Sequence, residues 1–425
     1  MVCEQRLMNN FSLLSTVGLE KDGGFSRLAF SDTDWQARRM ILKMMETAGL
    51  TIRIDEFGNI IGRREGLCRD SSVVMLGSHI DSVPHGGNFD GIVGVLGAIE
   101  VINCLKDKNI KTYHPIEVVV FMAEESSRFG TATLGSKAFC GELTYKDIER
   151  LKDQQGISLP AALRKRGLIP ENVEKACYDK KNIKAFLELH IEQGKVLETT
   201  KTTIGVVSAI AAPTRLRVII RGNADHSGAT PMSMRKDALA AAAEIILFVE
   251  AIACHWADKG IVGTTGMIKA YPGVMNVIPG VVELGVDIRG TCYETKQKML
   301  RELNEAIAAL KLKRDVNIEF LTISDETPVQ LSREMTDFLS TKCSENSYSY
   351  KVMPSGAGHD SMHLAAYTHT GMLFIPCRGG ISHNPAEWAD TKDIVAGTHI
   401  LLTSIIDLAE KSFIWKTEDY CTTRK

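Results

Sequence analysis

Three apolar runs mark the first half of the chain, at residues 72–77, 116–123 and 184–189, and each ends in polar residues. They are near-continuous rather than alternating, the pattern of strands buried on both faces. Helical periodicity lies before and between them, at 33–48 and 92–105. Such alternation predicts an α/β sheet, with functional groups beyond the carboxyl ends of its strands. The residues that follow the runs are His79 and Asp81, Glu124 and Glu125, and His190 and Glu192. All sit where that rule places chemistry.

From about Pro213 the pattern changes. Residues 216–220 read as a strand, 234–254 as a long Ala-rich helix, and 261–270 and 281–288 as strands. A helix at 296–311 and a strand at 317–323 complete the order β-α-β-β-α-β, a ferredoxin-like arrangement. The expectation is an α/β catalytic domain built from 1–212 and 328–425, with an α+β domain inserted at 213–327. After the insert, 332–344 predicts a helix, 373–376 a short strand and 393–410 a closing helix. Asp55-Glu56-Phe57-Gly58-Asn59 reads as an acidic turn without a chemical role.

Composition narrows the class. A length of 425 residues suits two domains, and 44% hydrophobic with 24% charged residues suits a soluble globular chain. A formal charge of −2 gives no basic field for nucleic acid or anionic membrane. No span is expected to reach the length of a bilayer crossing, because Glu100 interrupts the best candidate, 91–105. The N-terminus shows no signal-peptide apolar region, and the cysteines, from Cys3 to Cys421, form no C-x-x-C pair. The expectation is therefore cytoplasmic, with neither a disulfide framework nor a zinc ribbon. Asn10-Phe11-Ser12 matches a glycosylation pattern only by chance.

The chemistry concentrates in "GSHIDSVPHGGNFDG", residues 77–91, between an apolar run and an apolar helix. His79, Asp90, Glu125 and His190 are imidazole and carboxylate groups of the kind divalent transition metals take. His383, in "GGISHNPAEW", adds a fifth. Three histidines and several carboxylates exceed the needs of one ion, whereas a pair ~3.5–4 Å apart sharing one carboxylate would use them. One of the adjacent glutamates 124 and 125 follows an apolar run closely enough to be buried, and burial calls for ligation or a raised pKa. A lone loop histidine is more often solvated, and His85, His114, His255, His363, His369 and His399 are read that way.

"GSHIDSVPHGGNFDG", "AEESSRFG", "ELHIEQGKVLE", "ADHSGATPM", "NVIPG", "SGAGHD" and "GISHNPAE" occur in an order that resembles the M20-type metallo-amidohydrolases. Within them the chain is most similar to the hydantoinase/carbamoylase branch, which holds N-carbamoyl-L-amino-acid hydrolases, β-ureidopropionases and allantoate amidohydrolases. The resemblance implies a dinuclear centre of Mn²⁺, Co²⁺, Ni²⁺ or Zn²⁺. His79, Asp90 and His190 would hold one ion, and Asp90, Glu125 and His383 the other. Asp81 would accept a hydrogen bond from the His79 ring, and Glu124 would be the general base. Arg289 would clamp a substrate carboxylate, with Asn276, Gln193 and the Gly358 backbone beside it. His226 would stabilise an oxyanion, from the partner subunit, so the insert would be both lid and homodimer interface.

The same resemblance implies hydrolysis of an N-carbamoyl-L-amino acid to amino acid, carbon dioxide and ammonia. Allantoate is the runner-up substrate, and β-ureidopropionase or dipeptidase activity stands behind it. An inactive binding or scaffold protein of this fold would have lost ligands or base, yet all five ligands and Glu124 are present. Two departures stand out: Ser126-Ser127 where the family has Gly, and "HSGATPM" where it often has "HAGTTPM".

Overall fold

The computed structural model describes residues 1–413, and these form two compact units. Cys421 and the end of the expected third segment lie outside the described residues. One unit holds residues 1–208, 331–353 and those from 358 on; the other holds 209–330 and 354–357. The strands in chain order are β1 Thr51–Ile54, β2 Ile60–Arg64, β3 Val73–His79, β4 Ile116–Phe121, β5 Ile183–Ile191, β6 Ile204–Ile210 and β7 Ala212–Arg221. They continue with β8 Val262–Tyr271, β9 Val281–Gly290, β10 Asn317–Asp325, β11 Val329–Gln330, β12 Tyr350–Ser355 and β13 His369–Ile375. Strands β6 and β12 run across the division, so no loop composition marks it in the sequence.

The first unit is built on a mixed sheet in the order β1-β2-β4-β3-β5-β13-β6. Its centre is parallel: β3 pairs with β4 and β5, and β13 with β5. Every residue of β3 and β4 is buried, as their unbroken apolar runs require. Helix Ile92–Asp107 is buried nearly all round and packs with helix Thr391–Leu408. Helix Asp32–Ala48 shows why its segment folds locally. The Ser31 hydroxyl accepts from the Asp34 amide at one end, and Gly49 takes a φ of 91° at the other.

Three differences from the sequence reading have physical causes. β4 stops at Phe121, because Ala123 turns the chain with a φ of 57°. β13 begins at His369, since polar His369-Thr370 and Gly371 disguise its start. Gly371 lies against the helix Arg333–Glu345, where a Cβ would come within 2.5 Å of Met335 Cγ. The stretch after Glu125, to which the pattern assigns no element, contains the short helices Leu134–Phe139 and Leu159–Lys165.

The second unit is an antiparallel sheet in the order β10-β7-β9-β8, with helices Ala238–His255 and Tyr293–Arg314 packed on its buried face. This is the ferredoxin-like order that the sequence pattern predicts. Its core includes Leu216, Val218 and Ile220 from β7, and Val282, Leu284, Val286 and Ile288 from β9. Each such fully buried aliphatic side chain stabilises the fold by roughly 1.5–3 kcal/mol. The first helix begins at Ala238 rather than 234, because the Asp237 carboxylate caps the amides of Leu239 and Ala240. It also corrects the membrane expectation: among the described residues Ala238–His255, with mean hydropathy 1.8, is a helix long and apolar enough to cross a bilayer, and 91–105 is not the best candidate. Here it lays Ala241, Ile245 and Val249 on the sheet. Among the described residues every cysteine is a free thiol.

Candidate functional site

The parallel register brings three strand ends level. His79 pairs with Phe121 across β3 and β4, and Phe374 with His190 across β13 and β5. Leu76 pairs with Leu187, so His79 and His190, each three residues further on, face one another with ring centroids 5.8 Å apart. The loop after β3 then returns Asp90 between them. That return depends on glycine. Gly91 has a φ of 69°, and a Cβ there would lie 2.5 Å from His79 Nε2. A Cβ on Gly87 would lie 2.2 Å from the Glu387 carboxylate.

Asp90 is the centre of the arrangement. Its Oδ1 is 3.0 Å from His190 Nε2 and 3.6 Å from His79 Nε2. Its Oδ2 is 3.1 Å from His383 Nε2, and that nitrogen is 3.2 Å from Glu125 Oε1. Two groups able to hold a cation therefore share one carboxylate: His79, Asp90 and His190 are all buried, while Asp90, Glu125 and His383 open outwards. Glu124 lies 3.8 Å from His79 Nε2 and remains outside both groups.

The electrostatics suit a cation. Burial pushes the Glu124 carboxyl well above its ordinary range, opposed by His79 and reinforced by Glu125, Asp360 and Asp81. Burial also raises Glu125. Burial would raise Asp90 too, but the imidazoles of His190, His383 and His79 hold it well below the carboxylate range. Its bonds to Asp90 and Glu125 push His383 up to about 11. Carboxylates and imidazoles are the donors that divalent transition metals take, and a cation would relieve the repulsion among the acids.

Strained backbone accompanies this chemistry. Ala123, Thr133, Gln193 and His383, none of them glycine, have φ values of 57°, 56°, 57° and 55°. Such conformations are uncommon for side-chain-bearing residues and gather at functional sites.

The chain has known relatives. Residues 75–407 match peptidase family M20/M25/M40. The chain belongs to that family. It is 44% identical to an uncharacterized hydrolase of Haemophilus influenzae over 406 residues, covering 96% of this chain and 98% of that one. Identity is 39% to an N-carbamoyl-L-amino-acid amidohydrolase of Pseudomonas sp. (95% and 98% covered), and 35% to the allantoate amidohydrolase of Escherichia coli (95% and 98%). A hydantoinase/carbamoylase family amidase from Burkholderia multivorans superposes with a TM-score of 0.90 at 35% identity, covering 96% of this chain and 98% of that one. This M20 chain is thus an amidohydrolase of the carbamoylase and allantoate amidohydrolase type.

Of the site residues expected from sequence, some lie in the first unit and the others in the second. The first unit brings together His79, Asp81, Asp90, Glu124, Glu125, His190, Gln193 and His383. Asp81 acts differently from the expectation. The His79 Nδ1 partner is the Asp81 main-chain oxygen at 3.1 Å, and the carboxylate stands 3.6 Å away. That carboxylate instead accepts the amides of Glu124 (3.2 Å) and Glu125 (3.0 Å), fixing both glutamates to the β3 loop. Gln193 donates to Asp90 Oδ2 at 2.6 Å. Gly358 has open surroundings: a Cβ there would meet only Met362 Sδ, at 3.5 Å.

His226, Asn276 and Arg289 belong to the second unit. There the Ser227 amide donates to the Asn276 carbonyl, and His226 bridges Val277, so the two loops are joined. His226 is exposed, and its Nδ1 accepts the amides of Gly228 (3.0 Å) and Ala229 (3.1 Å). A ring nitrogen that accepts twice carries no proton, so Nε2 bears the N–H.

Several supporting residues escaped the sequence reading. Glu387 is buried and accepts the Phe89 and Asp90 amides on one oxygen, and the Ser382 hydroxyl and His383 amide on the other. Glu188, an acid inside the apolar run of β5, accepts from Ser78 Oγ and from both the amide and hydroxyl of Ser361. His359 packs edge-on against His190 with centroids 4.6 Å apart, and burial pushes it well below its usual range. A buried acid in a strand was the available signal for Glu188. Glu387 had none beyond its place four residues after His383.

The six histidines set aside as solvated also divide. His85 and His255 are exposed. The others are half-buried and bonded, contrary to expectation. His363 makes the most of it: Nδ1 is 2.6 Å from Glu142 and Nε2 is 2.9 Å from the Thr133 hydroxyl. His114 bonds Ser72 and Lys184, while His369 meets Ser332 and His399 meets Tyr348. The Asp55 turn is structural: its carboxylate accepts the amides of Phe57, Gly58 and Asn59.

Proposed function

We propose that this amidohydrolase holds two divalent ions and removes the N-carbamoyl (ureido) group of an N-carbamoyl-L-amino acid, releasing amino acid, carbon dioxide and ammonia. The observation that carries the reading is the division of Asp90, one oxygen turned to His79 and His190 and the other to His383 beside Glu125. Ions bound there would acidify a water and polarise the ureido carbonyl.

The chain's own residues supply the rest. Glu124 is the general base; burial raises its carboxyl and so strengthens it as a proton acceptor, and it returns the proton to the leaving nitrogen. Asp81 holds the Glu124 and Glu125 amides and so sets where that proton is received. His226, held as the Nε2–H tautomer by Gly228 and Ala229, donates toward an oxyanion. Arg289 and Asn276 bind the substrate carboxylate, and Gln193 and the Gly358 backbone line the ureido end.

A homodimer through the second unit belongs to this reading. β8 is an edge strand with only β9 as neighbour, and Leu247 on the adjoining helix is exposed. In that dimer His226 would serve the partner's site. Allantoate remains the second reading, since it also joins a ureido group to a carboxylate and the Escherichia coli relative acts on it by name.

After loading with Mn²⁺, Co²⁺, Ni²⁺ or Zn²⁺, a panel that follows ammonia release from N-carbamoyl-L-amino acids, β-ureidopropionate and allantoate, and free amino acid release from dipeptides, tests the reading. The expected result is the highest kcat/KM on an N-carbamoyl-L-amino acid. Preference for allantoate would move the assignment to the second reading, and cleavage of dipeptides alone would overturn both.

A further inference from the structure

β9 has two faces. Val282, Leu284, Val286 and Ile288 are buried, and the intervening Glu283, Asp287 and Arg289 lie on the opposite, partly exposed face. On that face the Arg289 guanidinium is already engaged. Its Nε donates to Asp287 Oδ1 at 3.0 Å and its Nη2 to Asp287 Oδ2 at 3.4 Å. Its Nη1 donates to the Gly356 carbonyl at 2.9 Å. Asp287 is also held from the next strand, where Arg215 stands directly opposite in register and donates from Nε at 3.3 Å.

This geometry refines the expected clamp. A guanidinium offers a carboxylate two bidentate edges, Nε with Nη2 or Nη1 with Nη2. Asp287 occupies the first edge. We propose that Asp287 is a positioning residue, which fixes the Arg289 plane so that its Nη1–Nη2 edge meets the substrate carboxylate end-on. The inference rests on the reading of Arg289 as the carboxylate-binding group.

Two features make Asp287 a permanent holder rather than a stand-in that substrate displaces. It is two residues from Arg289 on the same face of one strand, so it stays within reach whatever is bound. Arg215 fixes it from a second side. Without Asp287 the Arg289 side chain would regain rotamers, and the cost would fall on carboxylate recognition alone.

The test compares Asp287→Ala, Asp287→Asn, Arg215→Ala and Arg289→Ala with wild type. The substrates are the acid turned over fastest in the ammonia panel and its carboxamide counterpart. Wild type should favour the acid, and Arg289→Ala should abolish that preference. Asp287→Ala should reduce the acid-over-amide ratio of kcat/KM about tenfold, the equivalent of one weakened charged hydrogen bond. The loss should appear in KM for the acid, with kcat and the amide substrate little changed. Asp287→Asn and Arg215→Ala should fall between. A ratio within about twofold of wild type in Asp287→Ala, or a lower KM for the acid, would overturn the positioning role while leaving Arg289 in place. An unchanged ratio in Arg289→Ala would overturn the Arg289 reading and this inference with it. Thermal melts of each variant separate these effects from loss of fold.

Discussion

Replacing Glu387 by Gln probes how a residue that is not a ligand holds the site. The buried Glu387 carboxylate receives the Phe89 amide at 2.9 Å and the Asp90 amide at 3.1 Å on one oxygen. Its other oxygen receives the Ser382 hydroxyl at 2.9 Å and the His383 amide at 3.3 Å. It therefore ties the shared carboxylate, Asp90, to the loop carrying His383. Glutamine keeps one oxygen, so two of the four bonds survive. The amide NH₂ must then face either two main-chain donors or the His383 N–H and a hydroxyl that can turn to accept. Losing one or two charged hydrogen bonds in a buried place costs about 2–3 kcal/mol, roughly 30- to 150-fold in affinity. That matches the 10–100-fold range typical of residues that orient metal ligands. Competition with a fluorescent chelator measures affinity for Mn²⁺ in wild type and Glu387→Gln, with circular dichroism as a control for folding. A well-folded variant with affinity within threefold of wild type would refute the reasoning.

Further outcomes follow from the same geometry. Glu124→Gln should keep its metal content, because Glu124 stands outside both candidate groups, yet lose at least roughly 100-fold in kcat; wild-type turnover would remove it as the base. Asp34 is buried, and burial raises its carboxyl to about 7, opposed by Arg38. Its folded pKa exceeds the unfolded value, so its protonated form favours folding, and that contribution fades as pH rises from about 4 to about 7. Chemical denaturation should show wild type losing stability relative to Asp34→Asn across that window, and parallel pH profiles would contradict the assignment. Mixed dimers of His226→Ala and Glu124→Gln subunits should regain activity if His226 serves the partner's site, whereas confirmed heterodimers without recovery would count against service in trans.

Much of this architecture was legible because burial on both faces leaves an unmistakable pattern. The runs at 72–77, 116–123 and 184–189 are three of the four central parallel strands, and their ends lead to His79, the glutamate pair and His190. The insert was readable because β7 and β9 alternate and a long Ala-rich helix stands between strands, although the pattern hides the Asp237 cap and puts the helix start at 234. His383 was found only through its motif, since a loop held by Glu387 and a left-handed backbone has no periodicity. What sequence could not convey were partners distant along the chain. Asp81 grips amides 43 and 44 residues later, and Glu188 reaches Ser78 and Ser361. Likewise His363, apparently one solvated histidine among several, is fixed between Glu142 and Thr133 by contacts that only the fold creates.

The central claim, two ions sharing Asp90 in an enzyme that splits ureido groups, is tested most directly by counting metal against activity. Purified chain stripped with a chelator is titrated with Mn²⁺, and bound metal and ammonia release from the best N-carbamoyl substrate are followed together. Two ions per chain should bind, with full activity only as the second site fills. Saturation at one ion with full activity, or ammonia release by metal-free protein, would contradict the account.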